Sequence, residues 1–120
     1  MTQLLIVEDN VICQQMYRSL LSDEYQLTLA ETAQQALETL ATQCFDCILL
    51  DLGLPDRPGE EILPLIRAIP LYERTPIIVI SAHVDEPLGK HCLAMGANHV
   101  YVKPLLPTML RRMVESVLIH

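Results

Sequence analysis

The chain has 120 residues, 51% of them apolar, which is enough for one domain over 1–120 to bury a core without disulfide or metal staples. A formal net charge of -7, with eight scattered Lys and Arg, excludes a nucleic-acid backbone as direct partner, because phosphate binding needs clustered cations. The apolar runs reach about five residues, too short to cross a bilayer, so no membrane contact is expected.

Gln3 through Val7 is largely apolar and stops at the acidic pair Glu8-Asp9, the pattern of a buried strand. Asn10 suits the N-cap of a helix over Val11–Leu21, in which Ile12, Met16 and Leu20 recur at helical spacing. Ser22-Asp23-Glu24 breaks that pattern, and Tyr25–Ala30 alternates as a second strand. Thr32 caps a second helix whose apolar face is Ala33, Ala36, Leu37, Leu40 and Ala41. Cys47-Ile48-Leu49-Leu50 is a third strand, apolar throughout, and Asp51 ends it just before the turn-rich Leu52-Gly53-Leu54-Pro55-Asp56.

Glu60–Ile69 predicts a third helix with Pro64 inside it. Proline lacks the N–H that bonds four residues back, so this helix should kink or begin past Glu60. Pro76–Ser81 is a fourth strand, near-continuously apolar and so buried on both faces. A helix over Glu86–Met95 tolerates Pro87 in its first turn, and Gly96 supplies the left-handed residue that ends it. His99–Val102 is the fifth strand. Thr108–Leu118 is the last helix, with Met109, Met113 and Val117 as its core face. Strands alternating with helices predict an α/β domain built on a single doubly wound, five-stranded parallel sheet.

The remaining residues with chemistry of their own read as packing or surface. Cys44-Phe45-Asp46-Cys47 has the short spacing of a zinc pair. No second pair follows, and Cys47 begins a buried strand, so packing is the expected role. His83 and His91 read as surface, and His120 as a chain end. Met1-Thr2-Gln3 has no basic region, so no signal peptide is expected and the cytoplasm is the expected compartment.

Four of the strands end in polar groups: Glu8-Asp9, Asp51, Ser81 and Lys103. In a parallel sheet these carboxyl ends share one edge, where ligands bind in open α/β folds. Asp51 alone could be a nucleophile, a metal ligand or only a cap on the next turn. Crowded carboxylates need a cation, and Mg²⁺ fits, because it takes one or two carboxylates and keeps waters for a phosphate oxygen to replace. With Lys103 it would balance the charge of Glu8, Asp9 and Asp51. Asp51, ionised at neutral pH, could then attack phosphorus without a general base, while Lys103 and the Ser81 hydroxyl position the phosphoryl group.

Several motifs resemble the receiver domain of two-component response regulators and hybrid sensor histidine kinases. They are Val7-Glu8-Asp9-Asn10, Leu50-Asp51-Leu52-Gly53-Leu54-Pro55, Gly59-Glu60-Glu61, Ser81-Ala82, Met95-Gly96-Ala97 and Tyr101-Val102-Lys103-Pro104, in order along the whole chain. The resemblance implies a (βα)5 flavodoxin-like fold with strand order 2-1-3-4-5, like that of the chemotaxis regulators. It implies a phosphorelay domain that accepts a phosphoryl group from a phosphohistidine onto Asp51. Mg²⁺ would be held by Glu8, Asp9, Asp51 and the backbone carbonyl of Gly53. Ser81 and Lys103 would contact the phosphoryl group, and Tyr101 would be the aromatic that reports the state of Ser81.

The partners implied are a histidine kinase or histidine phosphotransfer domain, and a second copy or an effector protein on the surface of the fourth helix, fifth strand and last helix. Its only enzymatic act would be its own aspartyl phosphorylation and dephosphorylation. The Val-Glu-Asp-Asn opening is similar to receivers of hybrid sensor kinases. Leu54 stands in place of the more usual Met, Pro58 stands where Asp, Asn or Ser is common, and Pro64 sits in the third helix. None of these removes a chemical group.

Other readings compete. A receiver serving as a phosphate sink keeps all these residues, whereas a phosphorylation-independent scaffold predicts a missing acid, lysine or acceptor, and none is missing. A haloacid-dehalogenase-like phosphatase wants a second Asp two residues after the first, where this chain has Gly53. A flavin-binding flavodoxin relative wants a phosphate loop after the first strand, and Glu8-Asp9-Asn10 repels phosphate unless a metal intervenes. Finally, the Lys103–Pro104 bond is expected to be cis, a form costing only ~0.5–1 kcal/mol before proline.

Overall fold

The computed structural model describes residues 1–118; His120, read above as a chain end, lies outside the described residues. Five strands, β1 (Gln3–Val7), β2 (Gln26–Ala30), β3 (Cys47–Leu50), β4 (Ile77–Ser81) and β5 (His99–Val102), alternate with five helices. The helices are α1 (Val11–Leu21), α2 (Ala33–Thr42), α3 (Leu63–Arg67), α4 (Glu86–Ala94) and α5 (Pro107–Leu118). All strand pairs are parallel and the order is β2-β1-β3-β4-β5, as the resemblance implied.

The order decides where the helices go. The chain steps outward from β1 to β2, then doubles back over β1 to reach β3, and thereafter moves in one direction. Because parallel crossovers are right-handed, that reversal puts α1 on one face and α2, α3 and α4 on the other. The crevice between the carboxyl ends of β1 and β3 lies at the switch point.

Alternation along the strands fills both layers. Leu5, Val7, Ile48, Leu50, Ile77 and Val79 pack with Ala33, Ala36 and Leu40 of α2, Leu63 and Ile66 of α3 and Cys92 of α4. The intervening residues, Leu4, Ile6, Cys47, Leu49, Ile78 and Ile80, pack with Tyr17 and Leu21 of α1 and Leu110, Met113, Val114 and Val117 of α5. The three central strands are therefore apolar except for Gln3, which begins β1, and Ser81, which ends β4, because both of their faces are covered. Cys47 belongs to this packing, and burial pushes its thiol up to about 12.

Caps form where the side chains allow. Asn10 accepts the Cys13 N–H at 3.0 Å and Thr32 the Gln35 N–H at 3.0 Å. Gly96 has φ +120°, as a left-handed terminator should. The Lys103–Pro104 bond is cis.

Several expected details need correction. Pro64 leaves a 3-10 turn at Gly59–Ile62, so the α-helical part starts at Leu63, past Glu60 as expected, but stops at Arg67 rather than Ile69. The next turn, Pro70–Tyr72, buries Tyr72, whose hydroxyl donates to the Gln43 carbonyl. The true inward face of α1 centres on Tyr17 and Leu21, which leaves Ile12 77% exposed. Ala41 of α2 is exposed. In α5, Met109 is 42% exposed while Leu110 takes the buried position. The rest of each expected stripe packs inward, Met16 and Leu20 in α1, Ala33, Ala36, Leu37 and Leu40 in α2, and Met113 and Val117 in α5; Ile12, Ala41 and Met109 are left out because apolar residues outnumber the places facing the sheet. β2 starts at Gln26 and β4 at Ile77, one residue later than expected, α4 ends at Ala94, and α5 begins at Pro107.

Candidate functional site

Strand register assembles the site. Val7 pairs with Leu50, so the next residues, Glu8 and Asp51, leave adjacent strands side by side. The Asp51 N–H donates to the Val7 carbonyl at 3.0 Å, and the Glu8 N–H to the Ala30 carbonyl at 2.9 Å. Glu8 is 1% exposed and Asp51 8%, whereas Asp9 is half-buried. A carboxylate oxygen from each of Glu8, Asp9 and Asp51 lies within 4.8 Å of the others.

Lys103, at the end of β5, reaches across this cluster. Its Nζ donates to Glu8 Oε1 at 2.5 Å and to Asp51 Oδ2 at 3.1 Å, and it also lies 3.5 Å from Cys13 Sγ. The other oxygen of each acid is held by backbone: Gly53 N–H donates to Asp51 Oδ1 at 3.1 Å and Asn10 N–H to Glu8 Oε2 at 3.1 Å. Gln14 of α1 donates to the Glu8 carbonyl at 2.7 Å.

The electrostatics divide the two buried acids. Burial pushes the Glu8 carboxyl above its ordinary range; Lys103 and the Asn10 N–H pull it back, and Asp51 adds to the rise. Burial also acts upward on Asp51, but the Gly53 N–H, Glu8 and Lys103 together outweigh it and hold Asp51 below the ordinary carboxylate range. Burial disfavours the Lys103 cation, yet its bonds to Glu8 and Asp51 more than compensate, so it stays charged. A like-charged pair with opposite shifts is what proximity demands when one member has the better donors.

Ser81 closes β4 at the same edge, 5% exposed, with its carbonyl accepting the Lys103 N–H at 2.9 Å. Its hydroxyl is outside the hydrogen bonds joining Lys103, Glu8 and Asp51. Tyr101 stands apart from the acids. It is half-buried, its ring centroid is 6.1 Å from that of His99, and it borders a cavity with Met109, Arg112, Met113 and Ser116. His83 and His91 are exposed, as expected.

Two neighbours of the site were not anticipated. Cys13 comes within reach of Lys103 because Asn10 starts α1 and turns its first turn toward the strand ends; burial pushes this thiol up. Asp56 looks in the sequence like a turn residue, but it reaches α2. The N-cap at Asn10 was a usable signal for Cys13; nothing local signalled Asp56.

The model of the response regulator receiver domain matches residues 4–115. The chain belongs to the receiver domain family. Among solved structures, this receiver is similar to the chemotaxis protein CheY4 of Vibrio cholerae, with a TM-score of 0.91, 28% identity and 98% of each chain covered. It is also similar to the receiver domain of the sensor histidine kinase PA1611 of Pseudomonas aeruginosa, with a TM-score of 0.84, 31% identity and 98% and 97% covered. That structure has a magnesium ion coordinated in its active-site cleft. Among curated proteins it is 38% identical over 114 residues to the transcriptional regulatory protein KdpE of Staphylococcus aureus, covering 95% of this chain and 48% of that protein. The receiver thus spans about half the length of that relative. No described helix is long and apolar enough to cross a membrane.

Proposed function

We propose that the chain is a single receiver domain over 1–120 that takes a phosphoryl group from a phosphohistidine onto Asp51. The observation that carries this reading is Lys103 Nζ lying between Glu8 Oε1 and Asp51 Oδ2, at 2.5 and 3.1 Å, beside three carboxylates gathered within 4.8 Å. One cation fixed among three acids leaves a net deficit that a hard divalent ion meets, and every donor present is oxygen. Glu8, Asp9, Asp51 and the Gly53 carbonyl would hold Mg²⁺. When bound, it would neutralise charge on the phosphoryl oxygens.

Asp51 is the nucleophile in this reading. Its carboxylate oxygen forms the new bond to phosphorus as the bond to the histidine nitrogen breaks, and the nitrogen leaves with its electron pair. Held below the ordinary carboxylate range, Asp51 is ionised at neutral pH and needs no base. Lys103 stays protonated and offsets the charge that accumulates, and the Ser81 hydroxyl supplies a hydrogen bond to a phosphoryl oxygen.

The phosphoryl group brings roughly -1.5 to -2 charge. Drawing the Ser81 hydroxyl toward it would open room beside β4 for Tyr101, which pairs with Ile80 on that strand. An inward Tyr101 would reshape the surface of α4, β5 and α5, where Leu93 and Val102 are exposed, and on which a second copy or an effector would bind. The donor would be a histidine kinase or phosphotransfer domain in the cytoplasm, and the parent protein a hybrid kinase or a response regulator. A sink without output shares the same chemistry and lacks only this last step.

Incubation with Mg²⁺ and acetyl phosphate, followed by intact-mass measurement, should show one base-labile phosphoryl group that disappears in Asp51→Asn and after chelation of the metal. Undiminished labelling of the Asn variant would overturn the assignment. Self-association measured on the same labelled sample separates switch from sink.

A further inference from the structure

The loop from Asp51 to Gly59 is closed at its base and tethered near its tip. At the base, Gly59 N–H donates to the Leu52 carbonyl at 2.8 Å. A Cβ on Gly59 would stand 2.4 Å from the Asp51 carbonyl oxygen and 2.7 Å from Leu52 Cα, so two stretches of backbone touch there. Near the tip, the Asp56 carboxylate crosses to α2 and accepts the Ala33 N–H through Oδ1 and the Gln34 N–H through Oδ2, both at 2.9 Å.

Those are the first two donors of α2, which no helical carbonyl can reach. Thr32 satisfies the next two, its hydroxyl taking the Gln35 N–H and its carbonyl the Ala36 N–H, each at 3.0 Å. The cap of α2 is thus shared between a local residue and a carboxylate from the far loop. The positive end of the helix favours that carboxylate, and its two N–H bonds hold the Asp56 carboxyl below the ordinary range. Of the side chains from 52 to 58, Asp56 alone is hydrogen-bonded to α2 among the described residues.

Between base and tip lies Gly53, exposed and without a side chain to restrain it, whose N–H holds Asp51 Oδ1 at 3.1 Å. We propose that Asp56 is a positioning residue, clamping the loop to α2 so that Gly53 stays where its N–H meets Asp51 and its carbonyl can complete the Mg²⁺ ligand set. The metal half of this statement rests on the function proposed above; the tether half stands on the hydrogen bonds alone. An ordinary helix cap would stabilise α2 and do nothing for Gly53.

The test compares the full chain with Asp56→Ala, Asp56→Asn and Thr32→Ala. Three quantities are read: the thermal midpoint, amide hydrogen exchange at Gly53 in metal-free protein, and Mg²⁺ affinity by calorimetric titration. Asp56→Ala should speed Gly53 exchange several-fold and weaken Mg²⁺ binding about three- to tenfold, at or below the low end for a side chain that contacts a ligand directly. Asp56→Asn, which keeps one acceptor oxygen, should fall between it and the parent. Thr32→Ala should lower the midpoint similarly yet leave exchange and affinity at parental values. If Asp56→Ala moves only the midpoint, or Thr32→Ala moves Gly53 as much, the proposal is overturned. A parent chain that binds no Mg²⁺ overturns the proposed function instead, while the metal-free exchange still decides the tether.

Discussion

In β3, Cys47 through Leu50 are at most 2% exposed and pack into the two apolar layers, whereas Asp51, the next residue, is buried beside Glu8 and Lys103. The strand body gains stability by removing apolar surface from water. At its carboxyl end the same burial works against the charged acids: it leaves Glu8 above its ordinary range, while the Gly53 N–H, Glu8 and the Lys103 cation hold Asp51 below it. A single step along the backbone therefore separates residues that make the fold from residues whose charge the fold must balance. The edge is tolerable because the body beneath it is well packed, and it is useful because an unbalanced negative site can take up a cation.

The largest effect should come from the body. Leu49→Ala removes a 2% exposed side chain from the layer against α1 and α5, and should cost about 4 kcal/mol in urea unfolding. Mg²⁺ should stabilise this variant by the same increment as the parent, because the edge is untouched. A larger Mg²⁺ increment would mean that body and edge are coupled.

At the edge, Lys103→Met strands the carboxylates of Glu8 and Asp51, and should cost about 3 kcal/mol in metal-free buffer. Here Mg²⁺ should restore more stability than it adds to the parent, since the variant's site is more negative and an ion taken up only by the native state would stabilise it. Equal increments for Lys103→Met and Leu49→Ala would break the contrast between the two regions.

The smallest effect concerns an acid at the same edge that has enough donors. Asp56 is held below its ordinary 3.8 by the Ala33 and Gln34 N–H groups. A depressed carboxylate contributes stability above its unfolded pKa and loses it as pH falls through the lower folded value. The stability gap between the parent and Asp56→Asn should thus be flat from neutral pH to about pH 5 and close below about pH 4. A gap that widens in acid would show that the carboxylate is not what caps α2.

The sequence by itself determined the layers and the members of the cluster. The interiors of the central strands are apolar because both faces are covered, and that uniformity is visible in Cys47–Leu50 and Ile77–Ile80 without coordinates. These strands and the edge strand β5 each stop at a polar residue, so parallel pairing alone brings Glu8, Asp51, Ser81 and Lys103 to one edge. Pro64 likewise announced a late helix start, since a missing N–H is a local property.

Other features existed only once the chain was folded. Which of Ile12, Tyr17, Met109 and Leu110 faced inward depended on helix rotation, and that is settled by fit against the sheet, not by spacing along one helix. The opposed shifts of Glu8 and Asp51 depend on which oxygen Lys103, Asn10 and Gly53 each reach. The Asp56 bond to α2 joins groups 22 and 23 residues apart, and a carboxylate in a turn carries no local mark of the helix end it will meet. Periodicity and chain breaks are local and can be read in sequence; partners brought together by crossover connections are decided in three dimensions.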